Sequence, residues 1–182
     1  NSLINDYNKV IACLKEIGFK PDLARFEDRL IVQKTIYLLQ LAGVKTGFKY
    51  SMYVRGPYSP DLTKVLYERQ KDFKELVSSG ALDSKEKQVL ESFKEAIEGF
   101  ELKAGLLEVA ATYAFLRKKQ GLSAIDALRE VKKIKPFLSE TQIVLGVTFA
   151  KCFVCPPTQE QIDDAKKEFR DWELAYGQSV KD

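Results

Sequence analysis

The sequence contains no histidine among its 182 residues. Histidine is the commonest general base in enzymes, the commonest metal ligand and the only side chain whose ordinary pKa lies near neutral pH. Its absence excludes Ser-His-Asp and Cys-His catalysis, phosphate transfer through histidine, and zinc-peptidase sites built on a histidine pair. Chemistry through lysine, tyrosine, cysteine or a carboxylate is still allowed.

Cysteine is scarce, and its number is odd, at three. An odd number disfavours a disulfide framework and favours a reducing compartment. Cys152 and Cys155 form a lone Cys-x-x-Cys pair at the end of an expected helix, where a redox pair is disfavoured because thiols are activated at the opposite helix end. A zinc site needs two more ligands. We therefore expect buried apolar cysteines and predict neither a metal nor a cofactor.

Long apolar runs are missing as well. No run approaches the roughly 18 residues of a membrane-spanning helix, and the segment Asn1–Asp6 is polar and free of lysine, unlike a secretory leader. The sequence therefore predicts a cytoplasmic protein with no membrane partner.

The length and composition fit one globular domain, 1–182, with 45% apolar and 30% charged residues. The net charge is only +3, with +4 over residues 1–60 and −3 over residues 156–182. A solvated charged surface explains this distribution better than a patch for polyanions.

Helical periodicity covers most of the chain. The predicted helices span residues 3–17, 26–42, 60–68, 84–99, 102–119, 123–133, 139–152 and 158–176. Two of them, 26–42 and 102–119, are apolar on nearly every side, so we place them at the centre. Alternating aromatic residues predict a short strand at 48–55, with Phe48, Tyr50, Met52 and Val54 on one face, and a second short strand is possible within 71–80. The fold class is therefore mainly α: one compact domain of about seven or eight helices with a small β element.

The motif Arg55-Gly56-Pro57-Tyr58-Ser59-Pro60 predicts a rigid corner after the strand. Ser59 caps the next helix, whose first residue is Pro60. Arg55 and Tyr58 have no role in a turn, so they are candidates for binding, together with Tyr53 and Ser59.

Among the polar side chains of helix 26–42, four lie in its apolar part at spacings that place three of them on one face: Gln33, Lys34, Tyr37 and Gln40. Buried polar groups need hydrogen-bond partners. The favoured interpretation is internal hydrogen bonding that fixes the following corner. The alternative is the polar floor of a pocket, which makes these four further binding candidates.

Residues 26–70 resemble a known family core, with the clearest match over 26–68. The motifs Gln33-Lys34-x-Ile36-Tyr37-Leu38-Leu39 and Gly56-Pro57-Tyr58-Ser59-Pro60-x-Leu62 resemble the YwgA-like proteins, a prokaryotic family. The related Panacea domain of SocA-like antitoxins shares the Gln-Lys helix and the Gly-Pro corner, but here Val32 replaces its usual leucine. The resemblance implies a mostly helical fold, no known catalytic residues, and a protein-binding role such as toxin neutralisation.

The first functional interpretation is a non-enzymatic protein-interaction module, antitoxin-like or associated with defence or mobile elements. A second is a winged-helix-type regulator that binds nucleic acid, in which the strand 48–55 pairs with residues 72–77 as a wing. Its phosphate contacts would come from Lys64, Arg69, Arg117, Lys118, Lys119, Lys132 and Lys133. Lys135 extends the last of these clusters, although basic clusters at helix ends more often pair with the helix dipole. A third is an enzyme that acts through Lys34, Tyr37, Arg55 and Tyr58.

Overall fold

The computed structural model describes residues 2–77, 82–156 and 158–179, with side chains from residue 7 to residue 177. These ranges contain nine helices and one two-stranded sheet. In chain order the elements are α1 (Ser2–Ile17), α2 (Phe26–Ala42), β1 (Ser51–Tyr53), β2 (Gly56–Tyr58), α3 (Pro60–Glu68), α4 (Gln70–Glu75), α5 (Ser84–Ile97), α6 (Ala104–Lys118), α7 (Ala124–Ile134), α8 (Glu140–Phe153) and α9 (Gln159–Ser179). The prediction of a mainly α domain with a small β element is confirmed.

Helices α2 and α6 form the centre of the molecule, as their all-round apolar sequences predict. Both are buried through most of their length, α2 from Leu30 to Leu39 and α6 from Leu107 to Leu116. Helix α6 packs against α2 and also against α8. The sheet contacts the same two central helices, α2 and α6, through β2. The hairpin therefore lies against both central helices.

Hydrogen-bonded caps begin several helices, and the cap at Ser59 lies where the sequence predicts it. The Ser59 hydroxyl accepts the Leu62 N–H at the start of α3. Asp83 and Glu86 form a capping box at the start of α5. Helix α8 begins with an equivalent box made by Ser139 and Gln142. Each box satisfies backbone donors that have no partner within the helix.

The β element is a hairpin rather than the single strand predicted at 48–55. β1 pairs antiparallel with β2, with Ser51 opposite Tyr58 and Tyr53 opposite Gly56. The predicted strand is wrong at both ends. Residues 48–50 precede β1 without forming a strand, and the chain reverses at Val54 and Arg55, where Val54 is 96% exposed. The predicted corner at 56–58 is thus the second strand.

The second strand considered within 71–80 is wrong over the part that the structure describes. Residues Gln70–Glu75 form α4, and residues 78–81 lie outside the described ranges. The segment is rich in Lys, Asp and Glu and has one residue to bury, Phe73, so a short helical turn suits it better than a half-buried strand. The pairing of 48–55 with 72–77 as a wing is therefore wrong.

The expectation that Cys152 and Cys155 are buried is wrong for Cys152 and met only in part at Cys155, whereas Cys13 is buried. Cys152 is exposed and Cys155 is half-buried, because the end of α8 turns this face towards solvent. Within the described ranges, no group of three or more carboxylate or thiol side chains is placed to hold a metal ion. No helix in the same ranges is both long and apolar enough to cross a membrane.

The contact between α6 and α8 gives a test of the core. A Cβ atom added to Gly146 of α8 would lie 2.5 Å from Val109 Cγ1 on α6. We expect Gly146→Ala to lower the free energy of unfolding by about 1–3 kcal/mol, because the helices must separate to admit the methyl group. Urea denaturation measures this loss.

The matched control is Gly105→Ala in the first turn of α6, where an added Cβ meets nothing within 4 Å. This variant should be neutral or more stable by up to about 1 kcal/mol, since alanine favours helix. Equal losses in the two variants would contradict the close α6–α8 packing.

Candidate functional site

The site is built on α2, and its first component is the side-chain amide of Gln33. Its oxygen accepts the N–H of Ser59 at 3.0 Å, and its nitrogen donates to the carbonyl of the same residue at 2.9 Å. The nitrogen also donates to Thr63 Oγ1 at 3.0 Å. Gln33 and Ser59 are both buried. Gln33 thus holds the chain where the hairpin passes into α3.

Gln40 makes the same kind of backbone contacts two turns further along α2. Its amide nitrogen donates to the Phe48 carbonyl at 2.7 Å, and its amide oxygen accepts the Phe48 N–H at 3.1 Å. The same oxygen accepts the Thr46 hydroxyl at 2.6 Å. The two glutamines therefore fix both ends of the segment 48–59. The favoured prediction, that the polar residues of α2 fix the corner by internal hydrogen bonds, is confirmed for Gln33, which binds Ser59. Gln40 binds the chain before the hairpin instead.

Lys34 contacts the second strand of the hairpin, at Pro57, from a fully buried position. Its ammonium group donates to the Pro57 carbonyl at 2.6 Å, and its side chain has no exposed surface. Burial lowers the pKa of Lys34 from 10.5 to about 8, although the nearby Glu108 carboxylate opposes this shift. Lys34 is thus a third structural contact to the hairpin.

A buried ion pair lies beside Lys34, between α6 and the end of α7. The Lys135 ammonium lies 2.7 Å from one oxygen of Glu108, and both side chains are almost fully buried. The other Glu108 oxygen lies 3.9 Å from the Arg55 guanidinium. One carboxylate therefore faces cations from three segments of the chain.

Sequence reasoning missed this ion pair. Lys135 is assigned there to a surface cluster with Lys132 and Lys133, and this assignment is wrong because Lys135 ends α7 with its side chain directed inward onto Glu108. The sequence contains one indication of this ion pair, at Glu108. It is the only charged residue between Ala104 and Leu116 of an otherwise apolar helix, and such a charge needs a buried partner.

Gly56 lets the hairpin backbone lie directly on this cluster. Its φ of +93° is one that residues with a side chain rarely adopt. A Cβ atom there would lie 2.5 Å from Thr112 Oγ1 and 3.7 Å from the Lys34 ammonium. The Thr112 hydroxyl is buried, and no partner for it is found among the described residues. Close approach of the backbone thus requires glycine at this position.

The other candidates divide between core and surface. Tyr37 is buried, its ring lies 4.9 Å from that of Tyr50, and burial raises its pKa well above the ordinary value. Tyr58 is half-buried, and its hydroxyl lies 2.5 Å from Thr63 Oγ1. Its ring meets that of Tyr53 edge to face at 5.1 Å. Tyr53 itself is half exposed.

Four exposed residues gather around the tip of the hairpin, and we call them the hairpin patch. They are Phe26, Tyr53, Val54 and Arg55. The Arg55 guanidinium lies over the Phe26 ring at 5.4 Å from its centre, while the same group faces the buried Glu108 carboxylate. Arg55 is therefore both exposed and held in place.

The basic residues considered for phosphate contacts are spread over several helices. Most already have local partners: Lys64 pairs with Glu68, Arg69 lies over the Tyr7 ring, Arg117 donates to the Leu122 carbonyl, and Lys132 pairs with Glu140. Lys118, Lys119 and Lys133 are exposed at the ends of α6 and α7. This placement agrees with the dipole interpretation of the clusters.

The lowered pKa of Lys34 predicts a pH-dependent stability. The unfolded chain keeps the Lys34 proton up to about pH 10.5, whereas the folded chain releases it from about pH 8. Between these values the unfolded state binds more protons, so folding stability should rise with pH, by a total of about 3 kcal/mol from this group. Denaturant unfolding of the wild type and Lys34→Met from pH 7 to pH 11 measures it. The difference in unfolding free energy should move in favour of the wild type as pH rises, and a constant difference would contradict the buried ammonium.

The contacts of the Glu108 carboxylate predict unequal losses of stability at Glu108 and at Arg55. Glu108→Gln keeps the shape but leaves the Lys135 ammonium buried without a carboxylate, so we expect a loss of about 3–5 kcal/mol. Arg55→Ala removes a side chain that is 54% exposed, and we expect a loss of about 1 kcal/mol or less. Urea denaturation at pH 7 compares them. Losses of equal size would contradict the view that the buried Glu108–Lys135 pair stabilises the fold more than the exposed Arg55 contact.

Comparison of the chain with protein-family models, with curated proteins and with solved structures gives no match in any of the three.

Proposed function

We propose that the chain is a non-enzymatic, cytoplasmic protein-interaction module that binds another protein through the hairpin patch. The partner class is the one that the resemblance of residues 26–68 implies, namely a toxin or another defence-associated protein. The chain would act on it by binding alone, as an antitoxin does.

The proposal depends mainly on Arg55, whose side chain is exposed but fixed by two contacts. Arginine and aromatic residues contribute most to the binding energy of protein interfaces. Arg55 lies over the Phe26 ring and faces the Glu108 carboxylate, so it loses less side-chain freedom on binding than a mobile surface arginine. Val54 at the tip is 96% exposed and contributes little to the core.

The buried and half-buried polar residues of α2 support binding rather than catalysis. Gln33, Lys34 and Gln40 direct their polar atoms at the backbone of the segment 48–59. A group engaged in this way positions the hairpin and is not available to a substrate. The lack of histidine also favours binding over acid–base catalysis.

The surroundings of the patch define the chemistry of the partner. A second guanidinium, that of Arg29, lies over the Phe26 ring at 5.7 Å from its centre. Two cations on one exposed ring favour a partner face that carries carboxylates, with an apolar side chain to cover Phe26 and Val54. We expect an acidic protein surface.

Co-purification from the organism that encodes the chain tests the proposal. The tagged wild type should bring down one protein that Val54→Asp and Arg55→Ala fail to bring down, because the first places a charge in the contact and the second removes its anchor. The control is Val77→Asp, which adds the same charge at another exposed valine outside the helices and should keep the partner. Circular dichroism verifies that all variants fold.

Capture alone does not count as support. The partner, expressed by itself, should arrest growth, and co-expression of the wild-type chain but not of Arg55→Ala should restore it. A partner that binds all variants equally, or the absence of any partner, would overturn the proposal.

A further inference from the structure

Helix α9 stands apart from the other helices in its exposure. It spans Gln159–Ser179, which corresponds to about 31 Å at 1.5 Å per residue. From Thr158 to Gly177 every side chain is exposed except Ile162, which is half-buried. The large apolar side chains on it include Phe169, Trp172 and Tyr176, exposed by 60%, 63% and 61%.

The apolar residues of α9 follow a heptad spacing. Successive positions are separated by three, four, three and four residues, and they are Ile162, Ala165, Phe169, Trp172 and Tyr176. This spacing places them in one stripe along the helix, the pattern of the contact seam in coiled coils. The rings of Trp172 and Tyr176 already stack along the stripe, with centres 5.6 Å apart.

We propose that this stripe is a self-association surface, on which α9 pairs antiparallel with α9 of a second copy of the chain. The inference goes beyond the proposed function and shares no residue with the hairpin patch. The choice of a second copy, and of the antiparallel orientation, follows from the residues that flank the stripe.

Charge complementarity favours the antiparallel pair. Lys166 and Glu173 flank one side of the stripe, and Glu168 flanks the other. In an antiparallel pair, equivalent sides of the two helices face each other, so Lys166 of each copy faces Glu173 of the other. In a parallel pair, opposite sides meet, and Glu168 of each copy would face Glu173 of the other, which is repulsive. The other acidic residues of α9 lie on the face away from the stripe.

The sizes of the side chains favour the same arrangement. With the two-fold axis between residues 170 and 171, Phe169 meets Trp172 of the second copy, and Ala165 meets Tyr176. Each large ring at the ends of the seam is thus opposite a small residue, as close packing requires. A parallel pair would place Ala165 opposite itself and Trp172 opposite itself, leaving a gap beside a crowded layer.

The available area predicts a dimer that dissociates on dilution. A covered aromatic side chain buries about 150–250 Å², so the six rings of a pair, each about three-fifths exposed, bring on the order of 700 Å². Ile162, Ala165 and the stems of the flanking charged residues raise this towards the roughly 1,200 Å² at the lower end of specific interfaces.

Sedimentation of the full chain over a wide concentration series tests the proposal. The wild type should pass from monomer to dimer as its concentration rises. Trp172→Glu should weaken the dimer by roughly tenfold or more. The control is Leu174→Glu, which alters a residue of the same helix that is equally exposed, at 65%, but lies opposite the stripe, and it should still dimerise. Trp172 is the only tryptophan of the chain, so its fluorescence should shift to the blue with the same concentration dependence.

Charge exchange tests the orientation. Lys166→Glu and Glu173→Lys should each weaken the dimer, and the double exchange should restore it, with circular dichroism confirming the helix in every case. A parallel pair would respond oppositely to Glu173→Lys, which would remove a repulsion and strengthen the dimer. A chain that is monomeric at all concentrations would overturn the proposal, whether its tryptophan emission is blue-shifted by packing on its own domain or red-shifted by solvent.

Discussion

The hairpin depends on one buried anion, the Glu108 carboxylate on α6. It lies 2.7 Å from the Lys135 ammonium at the end of α7 and 3.9 Å from the Arg55 guanidinium at the hairpin tip, and its charge favours the charged form of Lys34 on α2. Two buried lysines would be costly in an apolar core without a counter-charge. Glu108 therefore permits Lys34 to hold the Pro57 carbonyl and fixes Arg55 at the surface.

The rest of the hairpin is attached to α2 by amides. Gln33 and Gln40 are seven residues apart, so they lie on one face of the helix. Each binds both the N–H and the carbonyl of one residue, Ser59 and Phe48 respectively. A two-stranded hairpin alone is at best marginally stable in water. Three contacts from one helix replace the missing strands, and this is why such a short sheet can present a defined tip.

The sequence predicts the helices well because their signals are local. The apolar periodicity of α2 and α6 and the capping residues Ser59, Asp83 and Ser139 act within a few positions of one another. Apart from α4, which is a local element, the failures concern contacts between distant segments. Lys135 looks like a surface lysine until its helix end is placed against Glu108, 27 residues away in sequence, and the strand pairing at Gly56 depends on Thr112 and Lys34 beneath it.

The two surfaces proposed for this chain differ in the same way: one depends on contacts between distant segments and the other on local sequence. The geometry of the hairpin patch depends on the buried residues beneath it. Glu108, Lys34 and the two glutamines hold the hairpin and so determine where its exposed residues lie. The proposed pairing of the α9 stripe depends only on residues of α9, because its heptad positions and flanking charges specify the pair without contacts to the core. A change in the buried cluster should therefore disturb the hairpin patch and leave the α9 stripe intact. A change in the stripe should leave the hairpin patch as it is, so that each surface can be examined in a chain whose other surface is unaltered.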